Sequence, residues 1–455
     1  MLRPSPSRIS LAVFLAISSF AAAAAEDTIL SETQVTAPKL LIPTRQANET
    51  VYTGTAVTAE GIERQGRKAE TSVYSAIDML PGVNTENPDA SGLAVEQSSV
   101  RVRGVRSYMG ALTVEGVPNY GGNPIGPRDY LYDMQNFTDV SVYKGATPGD
   151  IGSGIGSRGG AVVLRPKWSG EKFGGVLSQS IGSDKHLRTY MRLESGILGT
   201  AGTRLTAAAS FGKGDKWRGP GELGPRTNAN LTLSQPLGEN FDLKLWYNYN
   251  EQKQHLYRPL TYAQTLDLNA NHKLDYNPSL TGAAARDWQY YDYNRGDYRN
   301  DDILGVLTWR ASPSTTVTVK PYYSKEDTQI YQGQYVPART LPTPQPESGR
   351  VQLRERDIKR KGVIAEVATE FSGIKGVFGY HYEVTDMNIT AKNYAITPGG
   401  LSYRGYGVFG TSGTTYVKSP YFKLSGQVGK LSWQAGLKHF TFEDAASDGY
   451  TTGPA

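Results

Sequence analysis

From about residue 170 onward, apolar and polar residues alternate one by one, and this period of two predicts one β-strand after another. Leu205, Ala207, Ala209 and Phe211 alternate with Thr206, Ala208 and Ser210, and Ala229, Leu231 and Leu233 with Asn228, Asn230, Thr232 and Ser234. Phe241, Leu243, Leu245, Tyr247 and Tyr249 alternate with Asp242, Lys244, Asn248 and Asn250, with Trp246 the lone exception. Further on, Phe378, Tyr380, Tyr382 and Val384 face away from His381 and Glu383. Strands with one apolar and one polar face suit lipid outside and a wet or plugged lumen inside.

The connections alternate as well. Short turns are expected near Leu198 to Gly202, Pro236 to Asn240, Ala311 to Ser314, Ser372 to Lys375 and Gly429 to Lys430. Long polar excursions are expected from about Gln252 to Asn300, Gln329 to Arg350 and Ala391 to Thr415. A soluble sandwich has no reason to collect its long loops at one end, whereas outer-membrane barrels do so. The count is about eleven strands, an odd number where bacterial single-chain barrels use even ones. Since Thr451 to Ala455 also reads as loop, the barrel is expected to continue beyond this sequence.

Residues 26 to 168 have another character. Ala69 to Leu80 places Val73, Ile77 and Leu80 on one helical face, and Pro81-Gly82 stops the helix. Short strands are expected around Val100 to Val105, Ala111 to Val114, Asp139 to Tyr143 and Gly160 to Leu164. This predicts a small mixed α/β domain ahead of the barrel. At the amino terminus, Arg3 and Arg8 flank the start of an apolar run, Ile9 to Phe20, and Ala21 to Ala25 supplies small residues before Glu26. That pattern predicts an export signal over residues 1–25. The run is shorter than the ~20 residues a membrane-spanning helix needs.

Composition narrows the classes. The absence of cysteine removes disulfides and Cys-based zinc or redox sites. A net charge of +5 on 455 residues lacks the clustered basic footprint of a nucleic-acid binder, so no nucleic-acid partner is expected. With 29 Tyr and 51 Gly, the chain favours strands and tight turns. No nucleophile elbow, H-E-x-x-H or metal-spaced cluster appears, which argues against an enzyme. No cofactor and no metal site are expected. Gly154 to Gly159 fits the dinucleotide fingerprint G-x-G-x-x-G, but the β-prone Ala161 to Leu164 and Arg165-Pro166 follow where a helix should open.

Four fragments carry a family resemblance. Asp78 to Val83 (DMLPGV), Val100 to Val105 (VRVRGV), Val114 to Pro118 (VEGVP) and Val140 to Leu164 (VSVYKGATPGDIGSGIGSRGGAVVL) resemble, in order and spacing, the plug of TonB-dependent outer-membrane receptors, siderophore-receptor type. The resemblance covers the plug well and the barrel only in style. It implies a mainly β protein: an N-terminal mixed α/β plug domain inside a transmembrane antiparallel β-barrel, of about 22 strands in the family. The expected divisions are the signal at 1–25, a TonB-box segment and linker at 26–45, the plug at 46–168 and part of the barrel at 169–455.

Glu32, Thr33, Gln34, Val35, Thr36 and Ala37 resemble the TonB box, which adds as a strand to the energy-coupling protein; β-branched Val35 and Thr36 before Pro38 suit strand addition. The implied partners are TonB with its inner-membrane energising complex, outer-membrane lipid, and a ferric siderophore or similar chelate. The implied function is active transport across the Gram-negative outer membrane. Haem, cobalamin, another metal chelate or a passive specific channel are the alternatives; the FRAP and NPNL motifs of haem receptors are absent from the sequence given. Ligand contacts are expected from Arg106, Ser107, Tyr108 and Met109 in one plug loop and Tyr120, Asn123 and Arg128 in the next. In the longest barrel loop, Tyr257, Arg258, Tyr290, Tyr291, Tyr293 and Arg295 are the candidates, since Tyr and Arg stack on and hydrogen-bond to large anionic ligands. Arg101, Arg103, Glu115 and Lys144 on plug strands either pair with barrel charges or solvate in the lumen.

Overall fold

The computed structural model describes residues 42–47, 54–106, 112–119, 128–145, 147–152, 159–338 and 344–443. Nine short strands build the plug: β1 (Thr44–Gln46), β2 (Gly54–Thr58), β3 (Val83–Glu86), β4 (Ser99–Val102), β5 (Val105–Arg106), β6 (Leu112–Val114), β7 (Val117–Pro118), β8 (Phe137–Lys144) and β9 (Gly160–Pro166). One sheet has the order β1-β2-β8-β9-β6-β7, with β6 parallel to β9; β3, β4 and β5 form a second. Because β9 begins directly after Gly159, no helix opens there, as a dinucleotide site would require.

The predicted helix over 69–80 is two short helices, Arg67–Thr71 and Val73–Ile77. The chain is extended at Ser72, whose hydroxyl accepts from the amide of Ser75 at 3.4 Å and restarts the helix as an N-cap. Val73, Ile77 and Leu80 are nevertheless all buried. Gly82, at φ +75°, turns the chain away after Pro81.

The wall is one antiparallel sheet of twelve strands. Eleven follow in sequence: β10 (Phe173–Ile181), β11 (Leu187–Ser195), β12 (Arg204–Asp215), β13 (Glu222–Leu237), β14 (Phe241–His255), β15 (Arg295–Ser312), β16 (Thr315–Val336), β17 (Ser348–Phe371), β18 (Ile374–Thr397), β19 (Gly400–Val428) and β20 (Leu431–Lys438). A short β21 (Thr441–Glu443) pairs back on β19. Burial is inverted relative to a soluble protein. Leu205 and Leu231 are 44% and 49% exposed, while Asn228 and Asn230 on the opposite face are fully buried. An apolar face left to the surroundings around a polar interior is the membrane-barrel pattern.

All five expected short turns are present; Ser372 and Gly373, both at positive φ, close β17 to β18 in two residues. The long excursions are shorter than expected. The first spans 256–294 and the second 337–347, and the third reduces to Pro398-Gly399 between β18 and β19. A strand of 24 residues, such as β18, runs ~80 Å at 3.3 Å per residue, against an apolar band of ~25 Å. Its upper half stands clear of lipid, so polarity there reflects water rather than a loop.

Candidate functional site

Charges on the lumen-facing positions of the wall meet the plug directly. Arg188 on β11 and Arg226 on β13 converge on plug Asp133, at 3.1 and 2.6 Å, and Arg188 also meets plug Glu70 at 2.9 Å. Burial pushes the Asp133 carboxyl up, but Arg226 and Arg188 outweigh it and hold the group below its ordinary range. Arg192 donates to Asn136 and to the carbonyl of Lys167, and Tyr190 also donates to Asn136. On β15 and β16, Asp302 and Ser324 hold plug Arg128 at 3.2 and 2.8 Å. Glu326 lies 4.0 Å from Arg128 and 3.0 Å from Arg356 on β17, which in turn meets plug Glu96 at 2.5 Å.

Amide side chains add a ladder. Gln254 donates to the carbonyl of Val95 and accepts from its amide, Gln252 donates to Leu93, and plug Gln97 makes the same double contact with the backbone of Tyr257. These glutamines tie the turn at plug residues 93–97, where Glu96 sits at φ +56°, to the wall through side chain-to-backbone hydrogen bonds in both directions. Farther round, Lys320 meets Glu115 at 3.9 Å and Glu366 at 3.4 Å, and Lys423 pairs with Asp150. A cavity of about 200 Å³ lies here, lined by Glu115, Asp150, Lys320, Glu366, His381 and Lys438 among others.

Asp129, buried in the plug, accepts from the Ser98 hydroxyl at 3.0 Å. Burial raises its carboxyl to about 7 against that hydrogen bond. A folded-state value above the unfolded one means the folded plug retains a proton that the unfolded chain loses, so stability falls as pH rises from ~4 to ~7. Asp129→Asn is expected to remove that fall, matching the parent near pH 4 and exceeding it near pH 7. Unfolding midpoints across that range check it; a parallel slope in both proteins is the contrary result.

Of the sequence-predicted residues, Glu32 to Ala37, Ser107, Tyr108, Met109, Tyr120 and Asn123 lie outside the described residues. Arg106 is exposed on β5. Arg128 corrects the expectation of a ligand-facing plug arginine: at 2% exposure its guanidinium is engaged by Asn300, Asp302 and Ser324. Tyr257 is buried against plug Leu93 and Ala94, and the Arg258 amide donates to Asp275. Tyr290, Tyr291 and Tyr293 do come together, edge-on at 5.1 and 5.2 Å between ring centroids. They help fasten the 256–294 segment to the strands: Tyr290 and Tyr293 pack with Val351, Tyr331 and Tyr394, and Arg295 lies 4.3 Å over Tyr331. Gly333 and Gly349 admit this close approach; a Cβ would meet the Trp288 and Ala284 carbonyls at 1.8 and 2.2 Å.

Of the four plug charges left open, Glu115 meets the wall, Arg101 pairs within the plug with Glu86, Lys144 donates to the Pro81 carbonyl, and Arg103 is exposed. Besides Arg128, the stronger wall contacts fall on Glu70, Glu96, Asp133 and Asp150, none of these four singled out from sequence.

Residues 46–159 match the family model described as the TonB-dependent receptor plug domain. The chain carries a TonB-dependent receptor plug. Such receptors are transporters rather than enzymes. Solved structures similar to the chain include the pyoverdine receptor FpvA of Pseudomonas aeruginosa (16% identity, TM-score 0.65, covering 87% of this chain and 52% of that one). The ferric-catecholate import receptor Fiu of E. coli gives 19% identity, a TM-score of 0.60 and coverage of 85% and 58%. The siderophore receptor PiuA of Acinetobacter baumannii gives 14%, 0.57, 86% and 61%. The likeness is one of fold, and the chain spans a little over half the length of these receptors. No curated protein matches the sequence. Among the described residues, no helix is long and apolar enough to cross a membrane; the receptor plug sits instead beside strands of crossing length.

Proposed function

We propose that the chain is the plug and part of the barrel of an outer-membrane receptor that imports a ferric siderophore with energy delivered through TonB. The observation that carries this reading is a folded plug fixed across the lumen face of a membrane-type wall by buried ion pairs. A lumen so filled passes nothing until the plug rearranges, and breaking buried pairs needs work. TonB, driven from the inner membrane, supplies that work by pulling at Glu32 to Ala37. The residues above the plug form the ligand side and the box the energy side, two sites linked through the plug. Haem, cobalamin or another metal chelate fits the same architecture. The ion-paired plug disfavours a passive channel.

The test separates binding from transport. In the full-length receptor, Val35→Pro removes a backbone donor from the box and is expected to abolish uptake of radioactive ferric siderophore while ligand binding persists. Retained uptake would falsify the TonB-driven reading. Titration with ferric siderophores, haem and cobalamin then identifies the ligand class; failure of every iron chelate to bind overturns siderophore import.

A further inference from the structure

Strand β17 carries Arg350, Arg354, Arg356 and Arg360, each separated from the next by an even number of positions. The period of two puts all four on one face. Arg356 identifies that face as the lumen side, because its guanidinium meets plug Glu96. The four therefore form a column of guanidinium groups descending toward the plug, with Arg354 ~7 Å and Arg350 ~20 Å beyond Arg356 along the strand.

The lower two are committed, Arg356 to Glu96 and Glu326 and Arg360 to Glu383 at 3.3 Å. The upper two are held differently. Arg350 donates through Nε to the Gln334 carbonyl oxygen at 2.8 Å, and Arg354 through Nε to that of Gln352 at 3.0 Å. Gln334 donates to Gln352 at 3.3 Å, and Gln352 to Asn393 on β18 at 3.2 Å. Among the described residues, neither arginine pairs with a carboxylate, and Arg354 is exposed. Neutral amides thus fix each guanidinium by its inner nitrogen, and among the described residues no carboxylate holds either terminal Nη pair. That edge is the one that grips two oxygens of a planar anion. An arginine merely solvated on a hairpin needs no row of three amides to aim it.

We propose that Arg350 and Arg354, braced by Gln334, Gln352 and Asn393, form an anion-binding site on the lumen wall beyond the plug, and that the imported ligand is an iron chelate bearing carboxylate groups. This rests on the receptor reading above and adds the ligand's chemistry to it. Two cations ~13 Å apart along the strand, neither paired with a carboxylate among the described residues, favour an anion with more than one charged group, and the bidentate fit favours carboxylates over neutral hydroxamate oxygens.

The test titrates the full-length receptor by calorimetry with ferric citrate, an anionic carboxylate chelate, and with ferrichrome, a neutral hydroxamate chelate. Ferric citrate is expected to bind and ferrichrome not. The double variant Arg350→Gln with Arg354→Gln is expected to weaken ferric citrate at least tenfold, and Arg354→Lys, which keeps charge without the fork, by less. Lys361→Gln, on the outward face of the same strand, should change nothing and controls for folding. Unchanged affinity in the double variant overturns the proposal, as does failure of ferric citrate to bind. Ferrichrome binding alone, with box-dependent uptake, leaves the receptor reading standing and removes only the carboxylate class.

Discussion

Replacing Asp133 with alanine is expected to loosen the plug from the wall by about 3–5 kcal/mol, the usual cost of leaving buried charges without their partner. Asp133 has no exposed surface and accepts from Arg226 at 2.6 Å while Arg188 stands at 3.1 Å; both arginines are themselves within 2% of full burial. Arg188 keeps Glu70 at 2.9 Å, so Arg226 bears most of the loss. Two readouts check this: the denaturant midpoint of the plug in the full-length receptor, and entry of a large antibiotic that a seated plug excludes. Asp133→Leu combined with Arg226→Met removes both ends of the strongest contact and is expected to recover part of the loss, since an apolar pair strands no charge. Equal midpoints for parent and Asp133→Ala would show that the plug is held elsewhere.

How far this contact was visible in sequence follows from its spacing. The strands were legible because lipid imposes a strict period of two that survives in a single chain, as in Leu205 to Phe211. The partners of the seam are not local: Asp133 and Arg226 are 93 residues apart, Glu70 and Arg188 118, and Glu96 and Arg356 260. No sequence window joins them. Glu70 sits in a short helix and Asp133 in a loop, where carboxylates are ordinary. Arg350, Arg354, Arg356 and Arg360 keep the strand's period in the sequence, but only the plug shows which face they occupy. The long excursions are shorter than expected for a related reason. Polarity marks the edge of lipid rather than the end of a strand, so β18 and β19 continue through residues that look like loop. Tyr290, Tyr291 and Tyr293 meet one another, but the packing of Tyr290 and Tyr293 with Val351 depends on Gly333 and Gly349, glycines whose importance only the fold reveals.

Trp246 joins the sequence pattern to the seam and carries the second large expected effect. It is the one aromatic residue on the polar face of β14, and an inward tryptophan needs an apolar partner inside the barrel. The plug provides it: Tyr132 lies edge-on at 5.7 Å and Phe137 at 6.4 Å, with Trp246 only 2% exposed. Its indole nitrogen has no hydrogen-bond partner among the described residues, so its contribution is packing. Trp246→Ala is therefore expected to open a cavity between wall and plug and to cost about 3–5 kcal/mol. Trp246→Phe keeps a ring without the unpaired donor and is expected to cost less than ~1.5 kcal/mol. The neighbouring Leu245, 40% exposed on the lipid side, supplies the contrast, because truncating it to alanine opens no space at the plug. The same denaturant series on Trp246→Ala, Trp246→Phe and Leu245→Ala separates the two faces of the strand. If Leu245→Ala lowered the plug midpoint as much as Trp246→Ala, the ring's packing against Tyr132 and Phe137 would not be what holds the plug to β14.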